Sequence, residues 1–233
     1  MGLISLVDFC ESLYKSHDPH GLSITPDIPK LLEELHSIVR RLAKGNLDTF
    51  YVQERSLYQP LKELLEYHLP ARNLVMIENA LHKTAFPTQR TDLAIRRLGH
   101  VQQSRLSCNI ECSHFIEIKS VFFGETLRLA AVQEDFAKLL RCEQSYSAIC
   151  FFVLTGLEAD LMKSHGIVKV LQLQSEKKLP LRLKTNDGDL FWLTRVGAVL
   201  KSDPMVFIWR ITRSPPDSSL QSSGCSYSIF QKH

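Results

Sequence analysis

Leu31, Leu35, Ile38, Val39 and Leu42 recur at helical spacing, and Gly45 ends the run. Thr25-Pro26-Asp27 supplies start residues for this helix, with Pro29 tolerated in its first turn. A second helix is predicted from Asp48 or Thr49 to just before Pro70. Its buried stripe is Leu57, Leu61, Leu64 and Leu65, and Pro60 is expected to kink it. Beyond Pro70 the period shortens to that of strands, over 74–80, 91–97 and 113–121, with a polar connection at 99–109. In the third strand Phe115, Glu117, Lys119 and Val121 share one face, and Ile116 and Ile118 the other. Gly124 breaks it, and a helix over 125–143 follows, with the stripe Leu129, Val132, Phe136 and Leu140. The nearly uninterrupted apolar run 147–154 reads as a central strand covered on both faces.

Strand, crossover helix and buried strand make a right-handed parallel unit. Further strands are predicted over 167–173, 189–194 and 205–212, with a turn at Thr185-Asn186-Asp187-Gly188. The whole reads as an α/β fold, a central mixed sheet flanked by helices in the order α-β-β-β-α-β. One domain is expected over 1–213: a helical extension at 1–46, a core at 47–156 and a C-terminal β extension at 157–213. The Ser- and Pro-rich stretch from Ser214 reads as a flexible tail over 214–233.

Composition narrows the classes. At 233 residues, with 44% hydrophobic and 23% charged, the chain can bury a core without disulfide or metal staples. Its 28 basic and 25 acidic residues leave +3, so any nucleic-acid contact must come from local clustering. No apolar run is long enough for a bilayer, and the first residues lack a signal peptide's basic region, which points to a soluble cytoplasmic protein. Cys10, Cys108, Cys112, Cys142, Cys150 and Cys225 include no Cys-x-x-Cys pair. Cys108 and Cys112 with His100 and His114 offer a zinc site at wider than usual spacing, and reduced thiols are the preferred reading. No Gly-rich phosphate loop, HExxH or triad-like pattern is present.

Four charged residues do not suit their surroundings. Glu117 and Lys119 leave one face of an apolar strand, Asp92 sits in the strand before it, and Glu54 lies on the apolar stripe of the second helix. Burying such groups costs several kcal/mol unless they are compensated. As an ordinary feature, Glu-Ile-Lys is an ion pair on a solvated sheet face, within an unrelated α/β domain. As a site, Asp92 and Glu117 can hold Mg²⁺ through oxygen, with the Ile118 carbonyl as a further ligand. Such a metal polarises a phosphodiester, and a neighbouring lysine orients or deprotonates the attacking water.

Thr91-Asp92-Leu93-Ala94-Ile95 and Phe115-Ile116-Glu117-Ile118-Lys119-Ser120, in this order of elements, resemble the PD-(D/E)XK nuclease superfamily, the restriction-endonuclease-like fold. The resemblance covers roughly residues 50–155. It implies a Mg²⁺- or Mn²⁺-dependent nuclease, most simply one acting on DNA, with a non-catalytic nucleic-acid or protein binder of the same fold as the alternative. It implies metal ligation by Asp92 and Glu117, a catalytic lysine at Lys119, and a helix glutamate at Glu54. Thr91 stands where the family carries proline. The helix after the lysine offers Gln133, Asp135 and Lys138 to the site, and Arg96, Arg97 and Arg105 form a basic stretch suited to phosphates, which Gln133 and Lys138 are expected to extend as nucleic-acid contacts. Nucleases of this size often work as homodimers or with a partner subunit.

Overall fold

The run of apolar residues from Cys150 to Leu154 can be buried on both sides only if helices cover both faces of its sheet, and the chain supplies them. The computed structural model describes residues 28–45, 54–69, 73–81, 88–98, 110–175, 180–200 and 203–216. The expectations for 1–27, for 46–53, for the connection 99–109 and for most of the tail lie outside the described residues. So do Arg105, Cys10, Cys108, Cys225 and His100, together with the side chain of Arg97.

Helix α1 (Ile28–Gly45) is followed by a 3-10 turn (Glu54–Leu57) that runs into α2 (Tyr58–His68). Strands β1 (Asn73–Ala80), β2 (Arg90–Leu98) and β3 (Ile110–Val121) come next, then α3 (Leu129–Tyr146) and β4 (Ile149–Gly156). The short helices α4 (Glu158–Lys163) and α5 (His165–Leu171) precede β5 (Leu181–Lys184), β6 (Leu190–Val199) and β7 (Met205–Thr212). All seven strands form one mixed sheet in the order β1-β2-β3-β4-β7-β6-β5. Only β3 and β4 run parallel, joined by the crossover α3; the other pairs are antiparallel.

The sheet separates two cores. On one side Leu31, Leu35 and Val39 of α1 and Leu57, Leu61 and Leu65 around α2 cover Ile116, Ile118, Phe151 and Val153. On the other, Val132, Phe136 and Leu139 of α3, with α4 and α5, cover Phe115, Phe152, Leu154, Phe207 and Trp209. Cys112, Cys142 and Cys150 are buried free thiols. Cys112 belongs to the α3 side, whereas His114 stacks on Phe151 of the opposite core, so the two cannot share a zinc ion. Among the described residues no helix is long and apolar enough to cross a membrane.

Four elements differ from the sequence expectation, the unanticipated short helix α4 among them. The stretch read as a strand over 167–173 is helix α5, whose buried positions Ile167 and Leu171 stand four apart. A short β-branched run satisfies either period, and packing against the α3-side core decides it. Strand β5 was not anticipated; its alternation of half-buried leucines with exposed Arg182 and Lys184 is that of an edge strand. Pro60 kinks nothing, because α2 begins at Tyr58 and the proline falls in its first turn, where no intrahelical N–H bond is lost.

Phe152 is fully buried, with ring centroids 5.0 Å from Phe136 and 6.1 Å from Trp209. Phe152→Ala should lower unfolding free energy by about 3–5 kcal/mol in urea titrations. Tyr67→Ser, at a side chain 80% exposed, should stay within about 0.5 kcal/mol of wild type. Similar losses for both would contradict this assignment of the core.

Candidate active site

Strands β2 and β3 pair from Leu98 opposite Ile110 to Leu93 opposite Ile116, and the ladder stops there. Neither strand ends. β2 runs on beside β1, with Thr91 opposite Asn79, and β3 runs on beside β4 as far as Val121. The sheet therefore forks, and the first residues past the fork are Asp92 and Glu117. Ala94 and Phe115 face each other in the α3-side core, and two-residue alternation puts Asp92 and Glu117 on that same face. The Asp92 carboxylate turns into the gap. Its Oδ2 accepts the Ile118 N–H at 2.7 Å, taking over from the ladder partner that β2 no longer supplies.

From this point a chain of polar contacts runs across the cleft. The Tyr58 hydroxyl lies 2.5 Å from Asp92 Oδ1 and 3.1 Å from Glu54 Oε1, one turn earlier in its own segment. Lys119 Nζ is 3.0 Å from Glu54 Oε2 and 3.1 Å from Asp135 Oδ2 of α3. Lys138 Nζ, one turn beyond Asp135, is 3.4 Å from Asp135 Oδ1 and 2.8 Å from Glu117 Oε2. That last contact is a close ion pair on Oε2, whereas Oε1 has no hydrogen-bond partner although the residue is fully buried. An open cleft of about 640 Å³ gives access, lined by Glu54, Tyr58, Thr91 and Asp92, with Arg55, Glu78 and Arg90 at its mouth.

Four carboxylates (Glu54, Asp92, Glu117, Asp135) meet two ammonium groups (Lys119, Lys138), a formal excess of two negative charges. Burial, and then the neighbouring Asp92, push the Glu117 carboxyl well above its ordinary range, against the pull of Lys138. Burial likewise raises Glu54, offset in part by Lys119. Burial works against the charged form of Lys119, but Asp135 and Glu54 outweigh it and hold the ammonium more firmly than usual. Lys138 is raised in the same way by Glu117 and Asp135.

A divalent cation would neutralise that excess. Among the described residues no group of three His, Cys, Asp or Glu side chains stands ready to hold a metal. Mg²⁺, however, commonly takes one or two carboxylates and completes its shell with water and substrate phosphate. Asp92 and Glu117, with an unpartnered buried oxygen on Glu117, fit that pattern.

The other anticipated residues divide between the cleft and its surroundings. Ile118 meets the site through its N–H to Asp92. Lys138, expected to face nucleic acid, is the counter-ion of Glu117. Gln133 lies roughly 160° around α3 from Asp135 and does not share its face. Arg96 donates to Asn79 Oδ1, with its own Cα roughly 13 Å along β2 from that of Asp92. Tyr58, Arg55 and Arg90 were not anticipated. Tyr58 sits one helical turn after Glu54, and Arg90 precedes Asp92 by two on the same strand face, which are usable signals in hindsight. No family model matches the chain, and neither a curated protein nor a solved structure matches it.

The charge balance yields a prediction. A buried glutamate with a raised pKa favours the folded state while protonated, so its contribution is present at low pH. That contribution is lost as pH rises above the ordinary value near 4.5 towards the folded one. Glu117→Gln should therefore raise stability in EDTA at pH 7–8 by about 1 kcal/mol and flatten the decline between pH 5 and 8. Urea titrations across that range check it; an unchanged slope, or a destabilised variant, would show that Lys138 fully compensates Glu117.

Proposed function

We propose that the chain is a metal-dependent nuclease of the PD-(D/E)XK type, with a restriction-endonuclease-like core, hydrolysing phosphodiester bonds in DNA. The observation that carries the reading is the fork between β2 and β3, where Asp92, Glu117, Lys119 and Glu54 meet beside an open cleft. Asp92 and Glu117 would hold Mg²⁺ or Mn²⁺, which supplies Lewis-acid polarisation of the phosphodiester and neutralises the departing alkoxide.

The protein's own groups do the rest. Lys119, fixed between Glu54 and Asp135, stays an ammonium and therefore orients the attacking water and stabilises charge on the phosphoryl oxygens, in preference to acting as a base. Glu54 positions Lys119 and shares the Tyr58 hydroxyl with Asp92, so the first acid and the lysine are set by one helical segment. Asp135 spaces the two lysines.

A second reading also has an observation behind it. Lys138 stands 2.8 Å from Glu117, where a cation would otherwise be needed. A lysine serving as permanent counter-ion suits a non-catalytic nuclease-fold protein that binds nucleic acid or a protein partner.

Two measurements separate them. In cleavage assays with Mg²⁺ or Mn²⁺ on plasmid, linear duplex and single-stranded DNA, Lys119→Ala should lose roughly 10²–10³-fold in rate. Its Mg²⁺-dependent rise in melting temperature should survive, because Asp92 and Glu117 remain. Asp92→Ala should lose both cleavage and the Mg²⁺ shift. A wild-type protein that neither cleaves nor gains stability from Mg²⁺ belongs to the second reading.

A further inference from the structure

The residue of β1 facing Asp92 is Glu78, and its backbone is left-handed, with φ +48°, a region that residues other than glycine seldom occupy. The β1–β2 ladder registers Ile77 with Leu93 and resumes at Asn79 with Thr91, passing over it. So turned, Glu78 puts Oε1 3.2 Å from Arg55 Nη2 and Oε2 3.5 Å from Arg90 Nη1. Both guanidinium side chains are open to solvent, 79% and 62% exposed. Exposed ion pairs add little stability, so they do not account for a strained backbone; strain of this kind gathers at ligand clamps and switches. One carboxylate oxygen on each of two arginines, from two different elements, is also what the paired anionic oxygens of a phosphodiester would satisfy. All three side chains line the cleft that leads to Asp92.

We infer that Arg55 and Arg90 form a phosphate subsite at the cleft mouth, for a backbone phosphate of the strand that enters towards Asp92. Glu78 occupies the subsite as a resident anion until the strand displaces it. The inference rests on the proposed nuclease reading for the identity of the polyanion. It deepens that reading by assigning recognition to a pair that the basic stretch around Arg96 does not include. Glu78 also screens the arginines, so a free phosphate must outcompete a tethered carboxylate, and only a strand held at neighbouring points gains full entry.

The test uses the full chain in EDTA, with fluorescence anisotropy on labelled duplex and single-stranded DNA across a salt series. Glu78→Gln and Glu78→Gly should each tighten duplex binding by about threefold to tenfold; the glycine variant accepts the left-handed backbone and keeps the fold safe. Arg55→Ala and Arg90→Ala should each weaken binding and reduce the log–log salt slope by roughly 0.9. In Glu78→Gly/Arg55→Ala much of the gain should vanish, since the freed partner is gone. Unchanged or weaker binding by both Glu78 variants overturns the inference, as does no measurable DNA binding by wild type and Glu78→Gly alike. Tighter binding by the Glu78 variants without Mg²⁺-dependent cleavage leaves the subsite standing and removes the nuclease reading. Mg²⁺-dependent cleavage with wild-type affinity in all four single variants does the opposite.

Discussion

The hydrogen bond from the Ile118 N–H to the Asp92 carboxylate marks where two neighbouring strands cease to be partners. A strand that leaves its ladder exposes backbone donors, and a buried donor without a partner costs about 1–3 kcal/mol. One side-chain carboxylate meets that need at the fork. The same bond fixes Asp92 beside Glu117, so the device that lets the sheet open is also the first component of the site. Had β2 and β3 stayed paired, both acids would face a closed sheet under α3, with no cleft between them and the helical segment that carries Glu54.

Charge then governs what the opening can contain. Carboxylates buried this close repel, and the protein answers with two lysines threaded between them and with raised affinity for protons at Glu117 and Glu54. Replacing such groups by apolar residues would often be neutral or stabilising, which makes the cluster poor evidence for a structural purpose. The order of charges, acid-lysine-acid-lysine-acid from Glu54 to Glu117, leaves one acid beyond neutrality even before Asp92 is counted. Counted with every acid ionised, that residual charge is balanced either by a proton on Glu117 or by a bound cation, and it does not depend on any resemblance.

Much of this was legible in the sequence because the signals were local. Two-residue alternation placed Glu117 and Lys119 on the face of Phe115 and Val121, and the run at Cys150–Leu154 announced a doubly covered strand; both agree with the structure. The order of helix, three strands, helix and strand also agrees. What was not legible depends on tertiary context. Helix α5 and a strand at the same residues fit one apolar pattern, and only the neighbouring core selects between them. The fork is invisible because both strands continue past it along their other edges, β2 beside β1 and β3 beside β4. Lys138 was legible as a residue that α3 brings to the site, but its contact was not, because only the folded sheet aims it at the buried Glu117. Arg96 read as a phosphate ligand by charge alone, and its hydrogen bond to Asn79 Oδ1 could not be seen in the sequence.

The site also ties together the halves of the fold. The two hydrophobic cores lie on opposite faces of the sheet and share no side-chain interior. Lys119 reaches Glu54, from the segment covering one face, and Asp135, from the helix covering the other. Tyr58 is buried in the first core while its hydroxyl meets Asp92 on a strand that both cores share. The polar network thus spans the open end of the sheet, from the segment on one face to the helix on the other. Its geometry is right only when α2 and α3 are both docked, because no single element carries two adjacent members of the Glu54–Lys119–Asp135 link. Ordering of the cleft is therefore coupled to the packing of both layers, and a change in either helix's seating would be felt first as a change in the position of the Lys119 ammonium.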